Sequence, residues 1–235
     1  MGRARVGPLA AADVADLPGG CAGCLAWELG LPGPDPRARA VPHGAPREEP
    51  PADPVARKRA WVAERLADGG PVGAIARRDG ALVGWAAWGP SDAYARRLAP
   101  VPAASADALL LATLWVAPTE RGQGLGAQLV RAALRDALRA GAAGLEAYGD
   151  RRWRERACVL PLPWLARMGF VVHREHPRTP LLRIDTRRVL ALPGGLEAAL
   201  ESLAVRLPRP APVPSSPGRI GGASAGPGAG PPVDR

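Results

Sequence analysis

The stretch with the clearest chemical signature is Thr119-Glu120-Arg121-Gly122-Gln123-Gly124-Leu125-Gly126, which sets one arginine ahead of three alternating glycines. Glycines so spaced let backbone amides close around an anion, and a helix that begins there adds the attraction of its N-terminal dipole. A phosphate is the ligand such a loop suits, and three phosphate loops compete. A Walker loop needs Gly-Lys-Ser/Thr, and Lys58 is the only lysine in the chain. A dinucleotide fingerprint, Gly-x-Gly-x-x-Ala, fits Gly122, Gly124 and Ala127, with Glu146 about 20 residues on, where a ribose ligand would sit. In that fingerprint the first glycine turns the chain directly off a strand, whereas Ala117-Pro118-Thr119-Glu120-Arg121 intervene here. Too little sequence follows, much of it rich in Pro and Gly, to build the second half of such a sheet. The third pattern, Arg-x-x-Gly-x-Gly, fits Arg121, Gly124 and Gly126 and belongs to loops that hold the pyrophosphate of coenzyme A. Side chains at Gly124 or Gly126 would obstruct that close approach.

A second group of reactive side chains is Cys21-Ala-Gly-Cys24, a CxxC pair. Three readings stay open: neutral structural thiols, a redox pair, or half of a metal site. In the metal reading Cys158 and either His173 or His176 complete four ligands with Cys21 and Cys24, although the spacings are not those of a zinc module.

The elements that must position these residues follow from the hydrophobic pattern. Leu109–Val116 is an almost unbroken apolar run, read as a central strand. Leu125, Leu129, Ala133 and Leu138 then recur at helical spacing, closed by Gly141 and Gly144. Val72–Ala76 and Leu82–Trp88 flank Arg78-Asp79-Gly80, a hairpin signal. Further strands are expected at Arg5–Leu9, Leu145–Tyr148, Phe170–His173 and Leu181–Asp185. Helices are expected at Val55–Ala67, Pro163–Met168 and Leu196–Leu207. Trp27, Trp61, Trp85, Trp88, Trp115 and Trp164 supply the aromatic bulk of a core that has one Phe. Residues 32–54 read as a mobile Pro-rich loop within a domain spanning 1–207, and 208–235 as a disordered Pro/Gly/Ser tail.

The net charge is +9, which ordinarily points to nucleic acid. Ala, Arg, Gly and Pro dominate and asparagine is absent, so the charge reads as compositional drift towards arginine, and nucleic acid is not an expected partner. No apolar run of about 18 residues is present, so no membrane span is expected. MGRARVGPLAAADVADLP lacks a continuous apolar stretch and carries Asp13 and Asp16, so it is not read as a secretory leader. Three cysteines without such a leader suit a reducing cytoplasm rather than a disulfide framework.

LWVAPTERGQGLGAQLV resembles the coenzyme-binding motif of the GCN5-related N-acetyltransferases (GNAT). WLARMGF, residues 164–170, is similar to their later helix-into-strand segment, and RDGALVGWAAWGP to their second and third strands. The resemblance covers roughly residues 55–190. CAGCLAWEL, CVLP and HPRTPLLRID further resemble an actinobacterial branch of that family.

The resemblance implies an α/β fold with a mixed, mostly antiparallel sheet, splayed central strands and flanking helices. Acetyl-CoA, as cosubstrate, would lie in the splay, with its pantetheine arm on the backbone of Leu114, Trp115 and Val116. Its pyrophosphate would rest on the amides of Arg121, Gly122, Gln123, Gly124, Leu125 and Gly126. The implied activity is direct acetyl transfer to an amine on a small molecule or protein, in a monomer or homodimer. The alternative is a catalytically silent acyl-CoA-binding or regulatory protein on the same scaffold. The alternative draws support from Leu165, which stands where many family members carry a tyrosine acid four residues before Gly-Phe. Tyr148 is the substitute acid and Glu146 the best-placed base; on a strand the two share one face. Glu28 is a further carboxylate for the acceptor pocket, and Glu120 reads as a surface charge.

Overall fold

The computed structural model describes residues 2–30, 53–95, 102–153 and 158–187. The expected loop over 32–52, the helix over 196–207 and the tail over 208–235 lie outside the described residues. Asp53 and Pro54, assigned to that loop from sequence, instead begin a helix. The Asp53 carboxylate accepts a hydrogen bond from the Val55 amide at 3.0 Å, and Pro54 occupies the first helical position of α1 (Pro54–Ala67), where its missing N–H costs nothing.

Ahead of α1 the chain forms β1 (Arg5–Pro8). After it come β2 (Gly73–Arg78) and β3 (Ala81–Pro90), joined by Asp79 at φ 49° and Gly80 at φ 83°. Two left-handed residues make the turn whose twist matches the paired strands, so the expected hairpin forms. Then follow β4 (Ala108–Val116), α2 (Leu125–Arg139), β5 (Gly144–Asp150), β6 (Leu160–Pro161), α3 (Leu162–Arg167), β7 (Val171–Arg174) and β8 (Leu181–Asp185). The strands lie in the order β1-β2-β3-β4-β5-β8-β7, with β6 on β5. Pairing is antiparallel except at β4–β5 and β5–β6.

Side-chain alternation divides the sheet into two faces. Ala86 and Trp88 of β3, with Leu109 and Leu111 of β4 and Leu145 and Ala147 of β5, pack against α2 and α3. Helix α2 supplies Leu129, Val130, Ala133, Leu134 and Ala137 to that core, the spacing of one helical face. Trp85 and Ala87 face the other way, onto Val62 of α1 and the N-terminal residues Leu9, Val14 and Leu17. A third cluster joins Trp27, Tyr94, Leu110, Ala112, Tyr148 and Leu181. Each fully buried Leu contributes about 1.5–3 kcal/mol. Among the described residues no helix is long and apolar enough to cross a membrane.

The sheet parts at its centre. The β4–β5 ladder covers Ala108–Leu110 against Gly144–Glu146 and then stops, while β5 continues along β8 to Tyr148. Just there β4 carries a bulge. Ala87 pairs with Thr113 and Trp88 with Leu111, leaving Ala112 as the extra residue. Leu111 and Leu114, three apart, consequently face the same core. A bulge bends its strand and sharpens the local twist, which carries the end of β4 away from β5.

Candidate active site

Beyond the bulge, Thr113–Val116 is half-buried. Leu114 and Val116 pack towards the α2 side and Trp115 towards the α1 side. One edge of this segment pairs with β3, and among the described residues no ladder covers the other. That edge offers backbone groups to a bound chain, as a missing strand would.

At the end of β4 the Ala117 amide still donates to Val83 O at 2.9 Å. Pro118–Glu120 then makes one tight turn. The Arg121 Nε donates back to Val116 O at 3.2 Å, and the Gln123 side-chain amide donates to Thr119 O at 3.1 Å. Gly122 and Gly124 take φ 76° and 81°, a left-handed conformation that costs other residues strain. Gly124 is also the residue from which α2 starts. The first amides of a helix have no partner within it, so those of Leu125, Gly126 and Ala127 lack an acceptor inside α2, whose first turn bond runs from the Gln128 amide to Gly124 O.

The two glycines reserved for phosphate approach differ. A Cβ on Gly124 would meet nothing within 4 Å, whereas one on Gly126 would lie 2.9 Å from Trp164 Cζ2. Packing against α3 therefore accounts for Gly126, and backbone conformation for Gly124. Glu120, read as a surface charge, is 8% exposed and pairs with Arg78 at 2.9 Å. Arg78 also donates to Gln123 Oε1 at 3.3 Å, so it braces the loop from the hairpin.

On the α1 side of the parted strands, Glu146 and Tyr148 lie on the same face, but neither is solvated as an ordinary strand residue. Glu146 is fully buried. Its Oε1 accepts from Arg183 at 3.0 Å and its Oε2 from the Ser105 amide at 2.8 Å. Arg183 is shared with Asp107 through bonds of 2.9 and 3.1 Å, and that guanidinium holds the Asp107 carboxyl below its ordinary range. The Tyr148 hydroxyl donates to Pro102 O at 2.6 Å, and its ring stacks on Trp27 with centroids 6.0 Å apart. Leu165 is fully buried in the helix-side core.

His173 stands beside this pair, a group that sequence reasoning considered only as a metal ligand. Its Nε2 lies 3.7 Å from Glu146 Oε1 and 3.5 Å from Ser105 Oγ. Both neighbours meet the same ring nitrogen, so the three do not form a relay of serine-protease type, which uses both nitrogens. Ser105, Asp107 and Arg183 were missed altogether, for lack of any motif. The metal ligand set is not assembled. Among the described residues no group of three or more His, Cys, Asp or Glu is arranged to hold a metal, and His176 Nδ1 instead accepts from the Thr179 amide at 2.9 Å.

Glu28 is buried as well. It pairs with Lys58 at 2.7 Å, with the two side chains 4% and 5% exposed. Lys58 also donates to Cys21 O and Cys24 O at 3.0 and 2.9 Å, which ties the N-terminal segment to α1. Tyr94, between Trp27 and Trp61, is completely buried, and burial together with the Glu28 charge holds its hydroxyl well above the usual phenol value.

A mostly antiparallel open sheet flanked by helices, whose two parallel central strands pair only over Ala108–Leu110 and Gly144–Glu146, defines an α/β protein. The particular family is the acetyltransferase (GNAT) family, to which the chain belongs: its family model matches residues 38–158, just over half of the sequence. Among solved structures the chain is similar to yncA from Salmonella typhimurium, described as an acetyltransferase and solved with its cofactor acetyl-CoA. That match has 16% identity and a TM-score of 0.50, and covers 78% of this chain and 94% of that one. It is also similar to an N-acetyltransferase from Staphylococcus aureus Mu50, at 15% identity and a TM-score of 0.49, covering 78% and 99%. At these identities the likeness concerns the fold. No curated protein sequence gives a significant match.

Proposed function

We propose that the protein transfers the acetyl group of acetyl-CoA directly to an amine. The observation that carries this reading is the end of the β4–β5 ladder at Leu110 and Glu146, beside a helix that begins at Gly124. The pantetheine arm lies along Leu114, Trp115 and Val116. The pyrophosphate rests on the backbone of Arg121, Gly122, Gln123, Gly124, Leu125 and Gly126, where helix amides and dipole favour an anion. Family membership and the acetyl-CoA held by the Salmonella neighbour support the cosubstrate.

Transfer to an amine requires an unprotonated nitrogen, a polarised thioester and a proton for the departing thiolate. In this reading the acceptor enters from the face that carries Trp27, Trp61 and Tyr148, opposite α2. Tyr148 is the acid: its hydroxyl turns from Pro102 O, to which it donates at 2.6 Å, and gives its proton to the thiolate. Both oxygens of Glu146 are occupied, so Glu146 acts as a positioning residue, holding Ser105 and setting the charge beside His173. His173 takes the proton from the amine. A cytoplasmic setting, an amine-bearing small molecule or protein as acceptor, a homodimer and a single domain over 1–207 belong to the same proposal.

An amine panel with a thiol-release readout tests it. Wild-type protein releases coenzyme A thiol with at least one amine, and Tyr148→Phe lowers kcat by about 100-fold or more while leaving coenzyme affinity unchanged. Coenzyme binding without release on any amine would favour the catalytically silent reading, for which Leu165 speaks.

A further inference from the structure

Arg77 and Arg78 are neighbours at the end of β2, and side-chain alternation sends them to opposite sides of the sheet. Arg77 turns to the N-terminal segment, where it pairs with Asp13 at 2.9 Å and Asp16 at 2.6 Å. Arg78 turns to the loop that follows β4. It pairs with Glu120 at 2.9 Å, the two side chains 18% and 10% exposed, and donates to Gln123 Oε1 at 3.3 Å. The hairpin also reaches the root of that loop through its backbone. The β2–β3 register passes from Ala76–Gly84 to Arg77–Leu82, which leaves Val83 as an extra residue, and Val83 O takes the Ala117 amide at 2.9 Å.

Side chains fix the shape of the loop itself. Gln123 stands between two partners, its Oε1 accepting from Arg78 and its side-chain amide donating to Thr119 O at 3.1 Å. Arg121 Nε donates to Val116 O at 3.2 Å. Among the described residues no backbone carbonyl takes the amides of Gly122, Gln123 or Gly124, so the shape of the loop does not draw on them. Glu120 sets a carboxylate one residue ahead of these amides. Unpaired, that charge would repel a phosphate bound beside it, and the Arg78 guanidinium cancels it. A pair this sheltered is screened less by salt than one in open solvent.

We propose that Arg78 is a positioning residue for coenzyme binding. It acts on the ligand only through the loop: it fixes Gln123 and neutralises Glu120, so that the backbone over Arg121–Gly126 holds its shape before the pyrophosphate arrives. Ordering a loop at the moment of binding subtracts from affinity, and a loop already ordered avoids that loss. The role rests on the coenzyme reading of this loop. It adds a residue that no coenzyme-loop motif contains, carried on a different strand and 45 residues ahead of Gln123. Arg77 supplies the comparison within the same hairpin, since it has the same chemistry and faces away from the loop.

Calorimetry of the full-length chain with coenzyme A, together with deuterium exchange of the ligand-free protein, tests the role. Arg78→Met binds coenzyme A about tenfold more weakly than wild type, and its peptides over residues 118–127 exchange faster. Arg78→Lys, which keeps a positive charge beside Glu120, loses less. Arg77→Met binds coenzyme A as wild type does. Arg78→Met combined with Glu120→Gln strands no buried carboxylate, which keeps the test free of a folding defect, and its affinity still falls by about threefold or more. Wild-type affinity in Arg78→Met and in the double variant, or equal weakening in Arg77→Met, overturns the role and leaves the coenzyme reading standing. Wild-type protein with no affinity for coenzyme A overturns that reading and this role together.

Discussion

Gly126 lies directly beneath the indole of Trp164, so that a Cβ at 126 would sit 2.9 Å from Cζ2. The first turn of α2 and the helix α3 thus touch at Gly126, the last residue of the stretch proposed to hold the pyrophosphate. Gly126→Ala forces the indole to move and destabilises the fold by about 1–3 kcal/mol, the usual range for overpacking. In a Trp164→Leu background the same change costs about 1 kcal/mol less or better, a coupling that a double-mutant cycle in urea reads directly. Equal costs in both backgrounds would remove the contact from the account.

Gly124 is the position at which phosphate can be tested without disturbing packing, since a Cβ there meets open space. Its φ of 81° is best tolerated, among residues with side chains, by Asn and Asp. Gly124→Asn and Gly124→Asp carry the same strain and differ in charge. Calorimetry should show the Asp variant binding acetyl-CoA about tenfold more weakly than the Asn variant, about 1.4 kcal/mol. Equal affinities would place the phosphate elsewhere.

Lys58 and Glu28 form a buried pair 2.7 Å apart. Lys58→Met leaves the Glu28 charge without its partner, at a cost of about 3–5 kcal/mol, whereas Lys58→Met with Glu28→Gln costs distinctly less because no charge is stranded. Urea unfolding of the three proteins checks the order. A double variant as unstable as the single one would mean that the bonds to Cys21 O and Cys24 O, rather than the ion pair, matter most.

Tyr94 contributes to how stability responds to alkali. The folded state holds its hydroxyl protonated well above the ordinary value, while the unfolded chain releases that proton at about pH 10. The unfolded state therefore binds fewer protons than the folded state above about pH 10, and stability falls as pH rises through that window. Among the described residues the Tyr94 hydroxyl has no hydrogen-bond partner, so Tyr94→Phe costs little at pH 7 and flattens the alkaline decline. A decline of unchanged slope in Tyr94→Phe would assign it to another group.

The elements that were legible in the sequence are those specified locally. Asp79-Gly80 announces its hairpin through two left-handed residues. The stripe from Leu125 to Leu138 announces α2, and Gly169, at φ 88°, the stop after α3. The parting of the sheet was reached only through resemblance, because the bulge at Ala112 lies in an apolar run where an extra residue changes no pattern. Buried charges were the least legible. Glu120, Glu146 and Glu28 are each held by a cation far away in sequence, namely Arg78, Arg183 and Lys58. No local spacing distinguishes them from solvated carboxylates. The contact between Gly126 and Trp164 was not legible for the same reason, the two being remote in sequence.

The most direct test of the account is titration calorimetry of the full-length chain with acetyl-CoA, NAD and ATP in turn. The proposed site between β4 and β5, with a lysine-free loop beside it, predicts a Kd for acetyl-CoA on the order of micromolar, about −8 kcal/mol, and little heat from NAD or ATP. Tighter binding of NAD than of acetyl-CoA would contradict the assignment of the Arg121–Gly126 loop and, with it, the proposed function.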